Sequence, residues 1–138
     1  RRIVNSGRLS VPATLHQSPL NTPDTDHFAG TQVPGAVLLD APLTKQGQPT
    51  WLLRELGPDF TLLVFGPAPA WAYDLPGVKV LQIGIDVIDH QALAAQRLDA
   101  LPRTVYLVRP DQHVCARWRT PTEAAVRSAL ARATAAAV

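Results

Sequence analysis

The fold of this chain is decided by residues 104–119, which read TVYLVRPDQHVCARWR. Two runs rich in β-branched and aromatic residues, 104–108 and 114–118, flank a short polar segment. Proline presets φ for the second position of a type I turn, and aspartate suits the third position, where Asp111 follows Pro110. The stretch therefore predicts an antiparallel β-hairpin.

Two earlier runs predict inner strands of a sheet. Residues 60–65 read FTLLVF and lie between two Gly-Pro pairs, a pattern typical of a strand buried on both faces. Residues 78–83 predict a second strand. Because side chains alternate along a strand, we expect Leu62 and Leu63 to face opposite sides of the sheet, each side covered by helices.

Three helices are predicted around these strands. Thr50 can cap a short helix over residues 51–56, and Asp89 can cap one that runs to about Leu98. Residues 120–123, TPTE, read as a capping box with proline at the first helical position. The helix that follows repeats apolar residues at a spacing of one helical turn, which predicts a buried stripe. The stripe consists of Val126, Leu130, Ala133 and Ala137.

Residues 1–35 are rich in turn formers and show no periodicity, which is typical of an irregular arm or linker. We expect the spaced apolar residues of this arm to pack against a neighbouring surface. They are Leu9, Val11, Leu15 and Leu20. A regular pattern begins at residue 36, and we expect one domain over residues 36–138. Residues 37–43 predict a short edge strand, because Pro42 excludes a central position.

The composition is that of one soluble globular domain, since the 138 residues are 46% apolar and 17% charged. The net charge is only +2 and the arginines are scattered, which argues against nucleic-acid binding, and no apolar run is long enough to cross a bilayer. The single cysteine excludes an internal disulfide and fits a reducing cytoplasm. Because the sequence holds no methionine and begins with Arg1, we expect a domain taken from a longer protein.

Residues 107–119, followed by one helix, resemble the C-terminal end of FAD-dependent aromatic-ring monooxygenases of the phenol and 3-(3-hydroxyphenyl)propionate hydroxylase type. Residues 51–57 (WLLRELG) and 60–66 (FTLLVFG) resemble the thioredoxin-like domain of that family, and residues 6–10 and 18–21 resemble its connecting segment. The resemblance lies wholly outside the flavin-binding part of the family. It implies a thioredoxin-like α/β fold, with a central mixed sheet and flanking helices after an irregular N-terminal arm.

Residues 35–66 also resemble the beginning of peroxiredoxin-type domains. A redox-active member would place its nucleophilic cysteine just after the first buried strand, at a helix start that lowers the thiol pKa. Here that place is residues 66–73, GPAPAWAY, which contain no cysteine, serine or histidine. We therefore expect no thiol peroxidase or disulfide chemistry. We expect Cys115, in the second hairpin strand, to be structural and to share a face with Arg117.

No other pattern predicts a catalytic, cofactor or metal site. Metal-ligand spacing is absent among the histidines, and the sequence has neither a Gly-x-Gly-x-x-Gly fingerprint nor a phosphate loop. We therefore assign no catalytic, cofactor-binding or metal-binding residue to this chain. Trp71 and Tyr73, in a proline-rich loop, are the best candidates for exposed contact residues. The histidines are His16, His27, His90 and His113.

The resemblance implies the function of a larger protein. The parent would use NAD(P)H to reduce FAD and would insert one oxygen atom from O2 into an aromatic ring, which this chain does not identify. The chain would be its non-catalytic C-terminal domain, docked on the N-terminal FAD-binding catalytic domain and available for contacts in a homo-oligomer. The alternative is a free-standing, redox-inactive thioredoxin-like binding module, and the upstream gene sequence distinguishes the two.

Overall fold

The computed structural model describes residues 20–135, which form six strands, three α-helices and one short 3-10 helix. In chain order these elements are β1 (Pro42–Lys45), β2 (Gln48–Trp51), α1 (Leu52–Glu55), β3 (Phe60–Phe65), the 3-10 helix (Ala70–Asp74), β4 (Val78–Ile83), α2 (Leu93–Arg97), β5 (Val105–Val108), β6 (Val114–Trp118) and α3 (Glu123–Ala135). Within these residues every peptide bond is trans, including the bond before Pro102.

The central sheet has four strands in the order β4-β3-β5-β6. Strand β3 pairs in parallel with β4 and antiparallel with β5, so that Leu63 lies opposite both Leu81 and Tyr106. Strands β5 and β6 form the hairpin that the sequence predicts. A second, two-stranded antiparallel sheet joins β1 and β2. The predicted α/β fold with a central mixed sheet is thereby confirmed.

The hairpin turn follows the predicted chemistry. The Gln112 N–H donates to the Arg109 carbonyl over 2.9 Å, which places Pro110 and Asp111 at the two central positions. Gln112 then adopts a φ of 66°, the left-handed conformation that completes a three-residue hairpin loop. One strand position later the register shifts, since Leu107 pairs with Ala116 but Val108 pairs with Val114. The bulge therefore leaves one extra residue, at position 115, in β6.

Side chains are buried on both faces of the sheet. On one face Leu63 and Tyr106 pack with Leu52 of α1 and Leu98 after α2. The other face buries Leu62, Val64, Leu107 and Trp118 against Val126 and Ala129 of α3 and Ala72 of the 3-10 helix. Strand β3 is therefore central and buried on both sides, as the unbroken apolar run predicts. The stripe of α3 includes Ala129, and Ala137 lies outside the described residues.

The segment before β3 differs from the prediction in two respects. The strand placed at residues 37–43 begins at Pro42 and pairs with β2, through a turn in which Gln46 and Gly47 have φ values of 51° and 78°. Two consecutive positive φ values define a type I′ turn, whose twist suits a hairpin. Thr50 lies in β2 and does not cap α1; its hydroxyl donates to the Glu55 carboxylate over 2.7 Å.

The helix caps also differ in part. The Asp89 carboxylate accepts the N–H groups of Ala94 and Ala95 in the first turn of α2, but the N-cap position is Ala92, which makes no side-chain cap hydrogen bond. Helix α3 begins at Glu123, and the hydroxyl of Thr122 accepts the Ala125 N–H over 3.1 Å. The cap is thus Thr122, not the first threonine of the TPTE segment, because the chain is still turning out of β6 before that point.

Residues 20–35 are irregular, as predicted, and lie along the outer edge of β6. The Thr22 N–H donates to the Cys115 carbonyl over 3.0 Å, and the Gly35 N–H donates to the Val114 carbonyl over 2.7 Å. This part of the arm therefore contacts its own domain and covers the unpaired edge of β6. Of the apolar arm residues only Leu20 is described, and it is half-buried. A domain boundary at residue 35 stays a prediction.

Ion pairs and an aromatic ring hold this part of the arm in place. Asp24 accepts three hydrogen bonds from Arg117, of which the shortest measures 2.7 Å. The guanidinium groups of Arg117 and Arg119 lie 4.4 Å and 3.8 Å from the centre of the Phe28 ring. Asp26 accepts the Arg119 backbone N–H over 2.9 Å. Cation–π contacts and charge-assisted hydrogen bonds thus take the place of a regular ladder of backbone hydrogen bonds here.

None of the helices among residues 20–135 has the length and apolar character needed to cross a membrane.

Candidate functional site

The loop after β3 occupies the place where a redox-active relative would carry its nucleophile. Gly66 has a φ of 129°, which turns the chain away from the sheet, and two prolines without N–H groups follow. The Ala68 N–H donates to the Gln82 side chain over 2.9 Å. The element that follows is a 3-10 helix of five residues, capped by Pro69 without a side-chain hydrogen bond. The loop thus offers neither a thiol nor the start of a long helix that would activate one.

A small apolar pocket lies beneath this loop on the α3 face of the sheet. It has a volume of about 240 Å³ and is lined by strand residues, loop residues and the turn before α3. Its lining residues are Leu62, Val64, Pro67, Ala68, Pro69, Trp71, Arg103, Val105, Thr120 and Pro121. Among the described residues that line it, Arg103 is the only charged one. We call this the loop pocket.

A larger cleft lies beside the edge strand β4, with a volume of about 630 Å³. Three large side chains that line it are strongly exposed: Tyr73 at 59%, Ile85 at 54% and Ile88 at 46%. Exposed apolar residues grouped around one concavity are typical of a contact surface. We call this cleft, whose exposed apolar side chains are Tyr73, Ile85 and Ile88, the apolar cleft.

Charged residues at one end of the apolar cleft are already paired. The Glu55 carboxylate accepts a hydrogen bond from the Thr50 hydroxyl and another from Lys45 over 3.1 Å, and Lys79 donates to the Glu55 backbone carbonyl. The hydrogen bond from Thr50, followed by the effects of Lys45, lowers the pKa of Glu55 below its ordinary value. This carboxylate is therefore held as an anion by its neighbours and is not poised as a general acid.

The two predicted contact residues lie on different surfaces. Tyr73 is exposed and lines the apolar cleft, as expected, whereas Trp71 is half-buried and lines the loop pocket. Ile85, within the tight turn after β4, and Ile88, just after that turn, were not among the predicted contact residues. Apolar residues beside Gly84 and Asp86, in a segment that otherwise favours a turn, were the available signal.

Cys115 is fully buried on the α3 face of the sheet. Its Sγ lies 3.6 Å from the Leu20 carbonyl, and burial raises the thiol pKa to about 11 despite the opposing effects of Arg109 and Arg132. The expectation that Cys115 shares a face with Arg117 is wrong, because Arg117 pairs with Tyr106 on the opposite face and the bulge breaks the alternation.

The folded chain is expected to react with a disulfide reagent at pH 8 at least about 100-fold more slowly than the unfolded chain. A pKa raised from 9.0 to about 11 lowers the thiolate fraction by that factor, and burial blocks access further. Burial favours the neutral thiol, so its stabilising effect is complete below about pH 9 and is lost as the pH rises through about 11. Labelling kinetics with and without denaturant measure the ratio, and nearly equal rates would contradict a structural role.

No cluster of three or more potential metal ligands occurs in the part of the chain that the structure describes. The His90 Nδ1 lies 2.8 Å from the Thr44 hydroxyl, and the His113 Nδ1 lies 3.2 Å from the Asp111 carbonyl oxygen. His27 offers its backbone carbonyl to Arg119, and His16 lies outside the described residues. The described histidines therefore make separate hydrogen bonds and do not converge on one site.

The family model described as "Aromatic-ring hydroxylase, C-terminal" matches residues 31–137. No curated protein matches the sequence. Among solved structures, the chain is similar to aklavinone-11 hydroxylase in complex with FAD and aklavinone, at 19% identity and a TM-score of 0.73 over 93% of this chain and 28% of that one. It is also similar to the flavin-dependent monooxygenase PieE in complex with FAD and substrate, at 26% identity and a TM-score of 0.69 over 83% of this chain and 24% of that one.

A third solved structure bears on the fold alone. Peroxidoxin BcpB from Mycobacterium tuberculosis is 17% identical, with a TM-score of 0.55 over 79% of this chain and 98% of that one. This likeness confirms the thioredoxin-like fold. The chain spans only about a quarter of the length of the two hydroxylases but nearly the whole length of the peroxidoxin.

Proposed function

This chain belongs to the C-terminal family of aromatic-ring hydroxylases, and from that premise we propose that it is a non-catalytic domain that docks on the FAD-binding part of its parent enzyme. The two solved hydroxylases that it resembles both contain FAD. The proposed parent reduces FAD with NAD(P)H and inserts one oxygen atom from O2 into an aromatic ring. A cytoplasmic location belongs to the same proposal.

The described residues do not fit FAD. The loop pocket, at about 240 Å³, is smaller than the range of about 300–1,000 Å³ usual for cofactor and ligand sites. The apolar cleft is larger, but its two lysines, Lys45 and Lys79, already donate hydrogen bonds to Glu55, so neither is free to hold a pyrophosphate. FAD is therefore assigned to the rest of the parent, and no chemical step of the hydroxylation is assigned to residues 20–135.

The observation that carries the docking proposal is the apolar cleft. Tyr73, Ile85 and Ile88 expose large side chains around one concavity in a domain whose nucleophile position is filled by prolines and alanine. Covering large exposed apolar side chains with a second surface removes them from water, which favours the contact between the two surfaces. In the parent, the covering surface would be the N-terminal FAD-binding domain, and contacts between subunits of a homo-oligomer are a further use of the same face.

The purified 138-residue chain is expected to be colourless and to reduce neither insulin nor hydrogen peroxide. The reason is that the loop after β3 carries no nucleophile and that Cys115 is buried as a neutral thiol. Absorbance at 450 nm and a coupled peroxide assay provide the measurements, with an active peroxiredoxin as the positive control. Stoichiometric FAD in the preparation, or peroxide turnover that Cys115→Ala removes, would overturn the proposal.

A further inference from the structure

The loop pocket has the size and walls of a site for one aromatic ring. Leu62 and Val64 of β3 and Val105 of β5 line it from the sheet, and Pro67 and Trp71 line it from the loop. Its volume of about 240 Å³ is too small for a drug-sized ligand but sufficient for a single ring with one substituent. Trp71 is half-buried and lines the pocket, so part of its side chain is open to an aromatic partner.

One positive charge borders these apolar walls. Arg103 lines the loop pocket and is exposed, and within residues 20–135 its side chain has neither a hydrogen bond nor an ion pair. Its backbone is fixed, because its N–H donates to the Phe65 carbonyl over 2.9 Å and its φ is 75°. Thr120 also lines the pocket, and no acidic side chain among the described lining residues neutralises the arginine.

The situation of Arg103 differs from that of the arginines on β6 and its hairpin turn. Arg109, Arg117 and Arg119 each pair with a carboxylate at 2.7–2.8 Å. Arg103 instead lies beside an apolar concavity and has no such partner among the described residues. A guanidinium in that position can pair with an anionic substituent while the pocket takes up the ring that carries it.

We propose that the loop pocket is a binding site for a small single-ring aromatic anion, a carboxylate or a phenolate. The ring occupies the space between Trp71 and the sheet, and the negative group pairs with Arg103, with the Thr120 hydroxyl as a second donor. The site lies on the α3 face, whereas the apolar cleft lies beside β4, so the proposal does not depend on the docking role.

Benzoate is the probe for this proposal, titrated into the 138-residue chain and followed by NMR of backbone and indole N–H groups. We expect saturable shifts confined to Trp71, Arg103 and their neighbours, with a dissociation constant of about 1 mM. Benzyl alcohol, which has the ring without the charge, should bind about threefold to fivefold more weakly. Acetate, which has the charge without the ring, should cause no saturable shift. Equal binding of benzyl alcohol and benzoate, or no saturation by benzoate, would overturn the proposal.

Variants separate the charge from the cavity. Arg103→Gln should weaken benzoate binding about threefold to fivefold and leave benzyl alcohol binding unchanged. Arg103→Gly should do the same with a residue that accepts a φ of 75°. Ala68→Leu should fill the pocket and remove binding of both compounds. The control is Arg54→Gln, which removes an exposed arginine of α1 on the other side of the sheet. An equal loss in Arg54→Gln would indicate nonspecific attraction and would overturn the assignment.

The parent enzyme distinguishes a ligand site from a site for a protein side chain. If the pocket takes up a small molecule, benzoate should shift the same indole signal of Trp71 in the parent with a similar dissociation constant. If a side chain of the parent fills the loop pocket instead, benzoate should bind only to the 138-residue chain, and the ligand role would be overturned.

Discussion

Replacing Leu63 with alanine is expected to destabilise the domain by about 2–5 kcal/mol, the usual cost of truncating a buried leucine. Leu63 lies at the centre of β3, between Leu81 and Tyr106, and has no exposed surface. The loss of stability has two parts: the hydrophobic free energy of burying the removed groups, and the cost of the cavity that they leave. Urea denaturation of both chains, followed by tryptophan fluorescence, gives the difference in unfolding free energy.

The matched control is Leu101→Ala, because Leu101 is 58% exposed in the loop before β5. A change of less than about 0.5 kcal/mol is expected there, as for most surface substitutions. If Leu63→Ala cost no more than this control, β3 would not be the central strand, and the sheet order described above would be wrong.

Replacing Asp24 with alanine is expected to cost about 3 kcal/mol, although Asp24 belongs to the irregular arm. The Arg117 side chain is 2% exposed and donates three hydrogen bonds to the Asp24 carboxylate, whose side chain is 27% exposed. Removing one partner of a buried ion pair leaves a charge without compensation, which costs about 3–5 kcal/mol when both partners are buried. Because Asp24 is partly exposed, we expect the cost of breaking this pair to lie at the lower end of that range.

Two further variants test whether the loss of stability in Asp24→Ala comes from the ion pair with Arg117. Asp59→Ala removes an exposed carboxylate with no hydrogen bond among the described residues, and it should change stability by less than about 0.5 kcal/mol. The double variant Asp24→Ala/Arg117→Met should lose less stability than Asp24→Ala alone, because an apolar side chain replaces the unpaired charge. If Asp24→Ala matched Asp59→Ala in denaturation experiments, residues 20–35 would not be anchored through this pair.

The parts of the fold that the sequence predicted are those with strong local signals. The run at residues 60–65, short and bounded by Gly-Pro pairs, is typical of a buried strand, and Pro110 with Asp111 favours the hairpin turn directly. An edge strand overlapping β1 was predicted, but β2 was missed because it carries glutamine and proline. The pairing of the two strands depends on positive φ values at Gln46 and Gly47. Local propensity gives little indication of such a turn.

The candidate site was predictable only in part, for reasons of geometry. The absence of a nucleophile after β3 is visible in the residues themselves. The face occupied by Cys115 depends on a bulge, and a one-residue insertion reverses every inference from alternation. The apolar cleft unites Tyr73 with Ile85 and Ile88, and the pairing of β3 with β4 that brings these segments together is a tertiary feature.

The most direct test of the docking role is side-chain footprinting with hydroxyl radicals on the 138-residue chain and on the parent enzyme. Tyr73, Ile85 and Ile88 are exposed in the structure and should be modified rapidly in the isolated chain. In the parent their modification should fall at least about tenfold, while Leu101, equally exposed but outside the apolar cleft, reports on general accessibility. Equal modification of the three cleft residues in both proteins would show that the cleft faces solvent in the parent, and would contradict the docking role.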